Sequence, residues 1–151
     1  MPLCIRPATL DDAGVIVEFN RRLAEESEGK ALDLKLLRPG VEAGLADPNK
    51  AVYFVAEDDG VLIGQIMITA EWSDWRNGWF WWIQSVYVCP DHRRRGVFRS
   101  LFKHIHALAR QDPKVIGLRL YVDQENLGAQ QTYATLGMER TGYLLLERYP
   151  L

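Results

Sequence analysis

Cysteine is scarce in this chain: Cys4 and Cys89 are the only two, and neither belongs to a Cys-x-x-Cys or Cys/His cluster. That argues against a disulfide scaffold and offers no zinc-ligand spacing. No apolar run approaches the ~20 residues of a membrane-spanning helix. Positive charge is not in excess either. The formal net charge is -2, which argues against bulk attraction to nucleic acid or an anionic membrane, so any basic function must be local. Of the three histidines, His104 and His106 stand two apart on an expected helix and do not face one another. With His92 they make no metal constellation, and no metal is expected. The opening "MPLCIRPATLDDAG" lacks a basic segment followed by an apolar one, so no secretory signal and a reducing, cytoplasmic setting are the expectation. No repeat, low-complexity tract or linker interrupts the chain, which reads as a single domain over residues 1–151.

What is present is an ordinary globular pattern, apolar enough at 48% to bury a core. "LCIR" reads as a short strand. Thr9 with Asp12 three residues on reads as a capping box, and Ile16, Phe19 and Leu23 continue at helical spacing to about Glu26. A second helical stretch covers "DLKLLRPGVEAGLADP", its better half starting at Pro39 and stopped by Asp47-Pro48. Two β-rich runs flank Asp58-Asp59-Gly60, a hairpin signal. "WFWWIQSVYV" is large or β-branched on both faces, as a central strand is when helices cover it on each side. From Arg94 the period turns helical through Val97, Phe98, Leu101, Phe102, Ile105 and Leu108. "VIGLRLYV" is then a strand and "NLGAQQTYATLG" a short helix closed by Gly137. A final strand pair, or one bent strand, is expected from Met138 to Tyr149. The order implies a mixed α/β domain: one mixed sheet with helices on both faces.

"PDHRRRGVFRSL" puts three consecutive arginines and a glycine between the central strand and an amphipathic helix. A helix N-terminus offers unpaired N–H groups and a positive dipole end, glycine admits close approach, and arginine adds charge-assisted bonds to phosphate. A solvated helix start is the plain alternative. The stretch is not a GxxxxGK[ST] loop.

"SVYVCPDHRRRGVFRSLF" resembles the acyl-CoA-binding motif of the GNAT acetyltransferase superfamily, a hydrophobic strand followed by Arg/Gln-x-x-Gly-x-Gly/Ala opening a helix. Arg93, Gly96 and Phe98 hold the motif positions, and Phe98 departs from the preferred glycine or alanine. "NLGAQQTYATLGM" resembles the family's Asn-x-x-Ala-x-x-x-Tyr-x-x-x-Gly-Phe stretch through Asn126, Ala129, Tyr133, Gly137 and Met138. The two occur in the family's order, and the resemblance covers nearly the whole chain.

The resemblance implies a mostly antiparallel mixed sheet of six or seven strands, splayed at its centre to admit acetyl-CoA. Gln84, Ser85, Val86, Tyr87 and Val88 would line the pantetheine arm. The backbone at Val86 and Val88 would bond to it, and a fixed donor there would stabilise the oxyanion that forms on attack. The amides of Arg94, Arg95, Gly96, Val97, Phe98 and Arg99, together with Arg93, would hold the pyrophosphate, and Asn126 would hydrogen-bond the cofactor or simply cap its helix. Tyr133 would protonate the departing thiolate, a phenol of pKa about 10 being protonated at neutral pH; its plain alternative is a packed helix residue. An amine acceptor also needs a proton acceptor. Glu71, placed after the third strand, is the first candidate, with Asp74 and Glu26 behind it, each also readable as a solvated charge.

The implied activity is acetyl-CoA-dependent N-acetyl transfer to a small amine or amino-acid-like acceptor. The alternative is a non-catalytic acyl-CoA-binding or sensor domain. Trp81 and Trp82 read as core. Trp72 and Trp75 fall before that strand, where the wall of an acceptor pocket and a homodimer interface fit equally. Glu25, Glu26 and Glu28 read as a solvated helix end or as a lure for a cationic acceptor.

Overall fold

A computed structural model describes residues 3–151. These divide into two compact units, residues up to 120 and residues 121–151.

In the first unit, β1 (Leu3–Pro7) leads through a 3-10 turn, Leu10–Asp12, into α1 (Ala13–Glu28) and α2 (Leu34–Ala46). Then come β2 (Val52–Asp58), β3 (Val61–Ser73), β4 (Gly78–Val88), α3 (Val97–Gln111) and β5 (Val115–Arg119). The strands lie in the order β1-β2-β3-β4-β5. The first four are antiparallel, and β5 runs parallel to β4. The β2–β3 hairpin turns on two residues of positive φ, Asp59 and Gly60, which suits a primed turn between twisted strands. β5 can be parallel because α3 carries the chain back across the sheet.

Side-chain alternation divides the core. Tyr53 and Val55 pack with Ile16, Val17 and Val41 of α1 and α2. Their neighbour Phe54 turns the other way and meets His104 of α3 with ring centroids 4.9 Å apart. Ile66, Leu101 and Ile105 are fully buried. The mixed sheet with helices on both faces is therefore as expected.

Four expectations need correction. Pro39 does not divide the second helix into a weaker and a better half: the helix is continuous from Leu34, with Pro39 inside it. Asp33 is the cap, its side chain accepting from the Lys35 amide at 2.9 Å. The carbonyl that Pro39 leaves unpaired belongs to Lys35, which is exposed, so solvent can satisfy it. Second, β3 runs on to Ser73, so Glu71 and Trp72 are strand residues, paired with Phe80 and Trp79. The tight turn at residues 74–77 lets the ladder continue that far. Third, Trp81 and Trp82 are only half-buried rather than core, Trp81 lining a cleft with Leu108 of α3. Fourth, the sheet has five strands among the described residues rather than six or seven. Residues 138–151 carry an apolar run, Tyr143–Leu146, but no ladder, and a strand exists only where its backbone groups find one.

In the second unit, α4 (Leu127–Thr135) is capped by Asn126, whose side chain accepts from the Ala129 amide at 3.1 Å. It ends in a Schellman motif. Met138 N–H donates to Tyr133 C=O at 3.0 Å and Gly137 N–H to Ala134 C=O at 3.1 Å, with Gly137 at φ 91°. The Tyr-x-x-x-Gly spacing is thus the spacing of this cap, and it fixes Tyr133 in the last turn of the helix.

Candidate active site

β4 carries the site because of its hydrogen-bond phase. The Cys89 amide donates to the Ile63 carbonyl at 2.8 Å. Counting along the register, Tyr87–Gln65 and Ser85–Met67 are then the hydrogen-bonded pairs, and Val86 and Val88 direct their N–H and C=O groups away from β3. That is the β5 side. Yet the β4–β5 ladder runs only from Trp79 to Trp82, opposite Val115 to Arg119. From Ile83 to Val88, β4 has no partner in β5. A β-bulge at Met67/Ile68 accompanies the change.

The strand leads into a 3-10 turn, Pro90–His92, and then the arginine loop. Arg94 and Gly96 both have positive φ, 64° and 80°. For glycine this is free; for Arg94 it stores strain, which sites for ligands often do. Gly96 is the N-cap of α3, and its carbonyl accepts the first helical bond, from the Ser100 amide at 2.9 Å. The amides of Val97 and Arg99 precede that first helical bond and lie at the positive end of the dipole. Arg94, Arg95 and Arg99 are exposed and form no ion pair among the described residues. Val97 is buried and Phe98 half-buried. A helix N-terminus beside three guanidinium groups that form no ion pair among the described residues, reached from an open strand flank, fits a chain-like ligand ending in a polyanion.

Arg93 is placed differently. Its Nε donates to the Val88 carbonyl at 2.9 Å and its Nη2 to Glu26 at 2.7 Å, with the guanidinium 5.4 Å from the Tyr87 ring centre. The Tyr87 hydroxyl donates to the other oxygen of Glu26, and its ring packs on Phe19 at 5.4 Å. These donors, Tyr87 first and then Arg93, hold the Glu26 carboxyl below its ordinary range. Burial, then Glu26, pushes the Tyr87 phenol up. The pairing of Glu26 with Arg93 was not legible in the sequence, since it spans 67 positions.

Glu71 accepts from the Trp82 indole at 2.9 Å and from Arg119 Nη1 at 3.0 Å. Those two bonds hold its carboxyl low, so it is an ionised but weak base. Arg119 lies flat on Phe80, 3.6 Å from the ring centre. Phe80 in turn lies over Gly117, where an added Cβ would be 2.7 Å from the ring. Arg119 and Phe80 were missed by sequence reasoning; only the register puts them beside Glu71. Asp74 accepts from the Trp75 amide at 2.8 Å and so shapes the hairpin turn. Trp75 is 86% exposed, and Trp72 meets Trp79 edge to face at 5.0 Å. In the second unit, burial pushes the Tyr133 phenol up to about 12.

A cleft of about 330 Å³ lies elsewhere, between the Trp79 end of β4 and Leu108 of α3, and none of the residues expected to hold the cofactor lines it. No helix among the described residues is long and apolar enough to cross a membrane. Among the same residues, no three His, Cys, Asp or Glu side chains group as metal ligands.

Comparison with known proteins agrees with the motifs. The family model described as "Acetyltransferase (GNAT) family" matches residues 17–138. The fold is similar to a possible acetyltransferase from Clostridium difficile 630, with 44% identity, TM-score 0.95, and 100% of this chain and 99% of that one covered. A ribosomal-protein-alanine N-acetyltransferase from Brucella melitensis biovar Abortus 2308 is similar at 18% identity and TM-score 0.78, with 98% and 100% covered. The aminoglycoside N-acetyltransferase AAC(6')-Iy, in complex with CoA, is similar at 20% identity and TM-score 0.76, with 99% and 96% covered. At those lower identities the likeness is one of fold. No curated protein sequence matches the chain.

Proposed function

This chain belongs to the GNAT family of acetyltransferases, whose donor is acetyl-CoA, and from that premise we propose that it acetylates a primary amine on a small, amino-acid-like molecule by direct attack on the thioester. The observation that carries the reading is the open flank of β4 from Ile83 to Val88, which runs directly into the amides opening α3.

The pantetheine arm would lie along that flank, beside Gln84, Ser85, Val86 and Tyr87. Val86 has N–H and C=O directed to that side, so its amide would supply the fixed donor for charge developing on the thioester oxygen. Val88 would contribute its N–H, since its carbonyl already accepts from Arg93. The amides of residues 94–99 and the side chains of Arg94, Arg95 and Arg99 would take the pyrophosphate, and Asn126 would add a bond from its helix cap. Phe98 stands where the motif prefers glycine or alanine, and its side chain is half-buried.

In the reaction the neutral amine forms the C–N bond and the C–S bond breaks. Tyr133 would give its proton to the thiolate, and a phenol with pKa raised to about 12 is fully protonated when called on. The proton lost by the amine would pass to Glu71, directly or through water. Because Glu71 is held low by Trp82 and Arg119, we assign it a modest share of the catalysis. The same weakness supports the second reading, a CoA-binding domain that does no chemistry. A cytoplasmic setting fits the two free thiols, Cys4 and Cys89.

The test is thiol release from acetyl-CoA across a panel of amines, amino acids and aminoglycosides. Amine-dependent release supports transfer. CoA binding with no release above hydrolysis, for any amine, favours the non-catalytic reading.

A further inference from the structure

Glu26 stands in the last turn of α1, in a run with Glu25 and Glu28 and with no basic residue in that turn. A helix C-terminus is the negative end of the dipole, so a carboxylate there costs stability unless a cation offsets it. The offset for Glu26 comes from far along the chain. Its two oxygens are shared out, one to Arg93 and one to Tyr87. Arg93 has its Nε on the Val88 carbonyl, one terminal nitrogen on Glu26 and one face toward the Tyr87 ring. A guanidinium held from three directions is poorly placed to turn and grasp a phosphate. Arg94, Arg95 and Arg99, unpaired and exposed beside it, are free to do so.

We propose that Glu26 is a positioning residue for the cofactor loop: through Arg93 and Tyr87 it locks the start of that loop onto the end of β4, and so sets the direction in which the amides of residues 94–99 open. Arg93 then acts through the loop's geometry and not as a phosphate ligand. Val88 is part of the same lock, because its carbonyl lies on the flank where β5 no longer pairs, and Arg93 fills that acceptor. The inference rests on the acetyl-CoA reading given above.

The experiment is calorimetric titration of free CoA into the full chain, as wild type, Glu26→Gln, Arg93→Met and the double variant, at low and moderate salt. Glu26→Gln keeps size and shape while removing the charge. Losing a charge-assisted bond that positions the loop is expected to weaken CoA binding about tenfold. Arg93→Met is expected to lose at least as much, and the double variant to match Arg93→Met within about twofold, since both remove one lock. The salt dependence of binding in Arg93→Met should equal that of wild type, whereas Arg95→Met should flatten it. Tyr87→Phe, which removes one hydroxyl and leaves the packing intact, should show a smaller loss of the same kind.

If Arg93 grips phosphate instead, the outcome changes sign. Glu26→Gln frees the guanidinium and leaves CoA binding equal or tighter, while Arg93→Met weakens it and flattens its salt dependence. That result overturns the proposal, as do losses that simply add in the double variant. A wild-type chain that binds no CoA overturns the functional reading itself, and is told apart from these by the wild-type titration alone.

Discussion

Trp82 and Arg119 form the last rung between β4 and β5. Beyond them the central strand runs on with Val86 and Val88 directed into the gap, and the chain then passes through the arginine loop to the N-terminus of α3. The assignment of the pantetheine arm to β4 depends on that separation.

A backbone test follows from the phase of β4. The Val86 amide faces away from β3, so proline at that position breaks no rung of the β3–β4 ladder. Val86→Pro is expected to fold with a melting temperature within a few degrees of wild type. Its turnover should fall about 100-fold, the usual cost of one oxyanion donor. Thiol-release kinetics beside a melting curve separate the two effects.

Tyr133→Phe is expected to lower kcat by roughly 100-fold or more while leaving CoA affinity within about threefold, the signature of a proton donor. The raised phenol also gives a stability signature. Its folded pKa, about 12, exceeds the unfolded value near 10, so the fold favours the protonated form. The contribution is whole below the unfolded value and is lost as pH rises toward 12. Wild type should therefore lose more stability than Tyr133→Phe in alkaline denaturation.

Glu71→Gln probes a base already weakened by two donors. The expected fall in kcat is about tenfold, short of the ~100-fold or greater effect of a well-tuned base. The acid limb of the pH–rate profile should flatten in the variant, since the depressed carboxyl is the group that protonates there.

Arg6 joins Asp12 at 2.9 Å and Glu57 at 2.9 Å, tying the start of the helical segment to β2. Asp12 is buried, and its carboxyl is held low first by Arg6. Asp12→Asn should cost about 2 kcal/mol, toward the low side for a broken buried pair because Arg6 is a third exposed. The depressed pKa places that stability above the unfolded value and removes it as pH falls through the folded one. Wild type should accordingly show a steeper acid loss than Asp12→Asn, measured by urea unfolding between about pH 5 and 2.

Much of the fold was legible because its signals are local. Asp59-Gly60 specified a hairpin, and Asn126 and Gly137 specified both ends of a helix, whereas the helical period read from Arg94 starts only at Val97, after the Gly96 cap. What escaped was set by partners distant in sequence. The length of β3, and with it the strand position of Glu71, depends on a ladder with β4. The contact of Glu71 with Arg119 depends on a register that no periodicity reveals. Glu26 reads as one solvated acid among three until Arg93 arrives beside it. Pro39 misled because its penalty is small where the unpaired carbonyl faces water.

The most direct measurement is a thermal-shift titration with acetyl-CoA, with ATP as the polyanion control. At a hundredfold excess over its dissociation constant a ligand adds about 2.7 kcal/mol, or roughly 5–10 °C for a domain of this size. A shift of that order is expected with acetyl-CoA and little with ATP, which lacks the arm proposed to lie along the open flank of β4. Equal shifts with both, or none at millimolar acetyl-CoA, would contradict the acetyl-CoA reading.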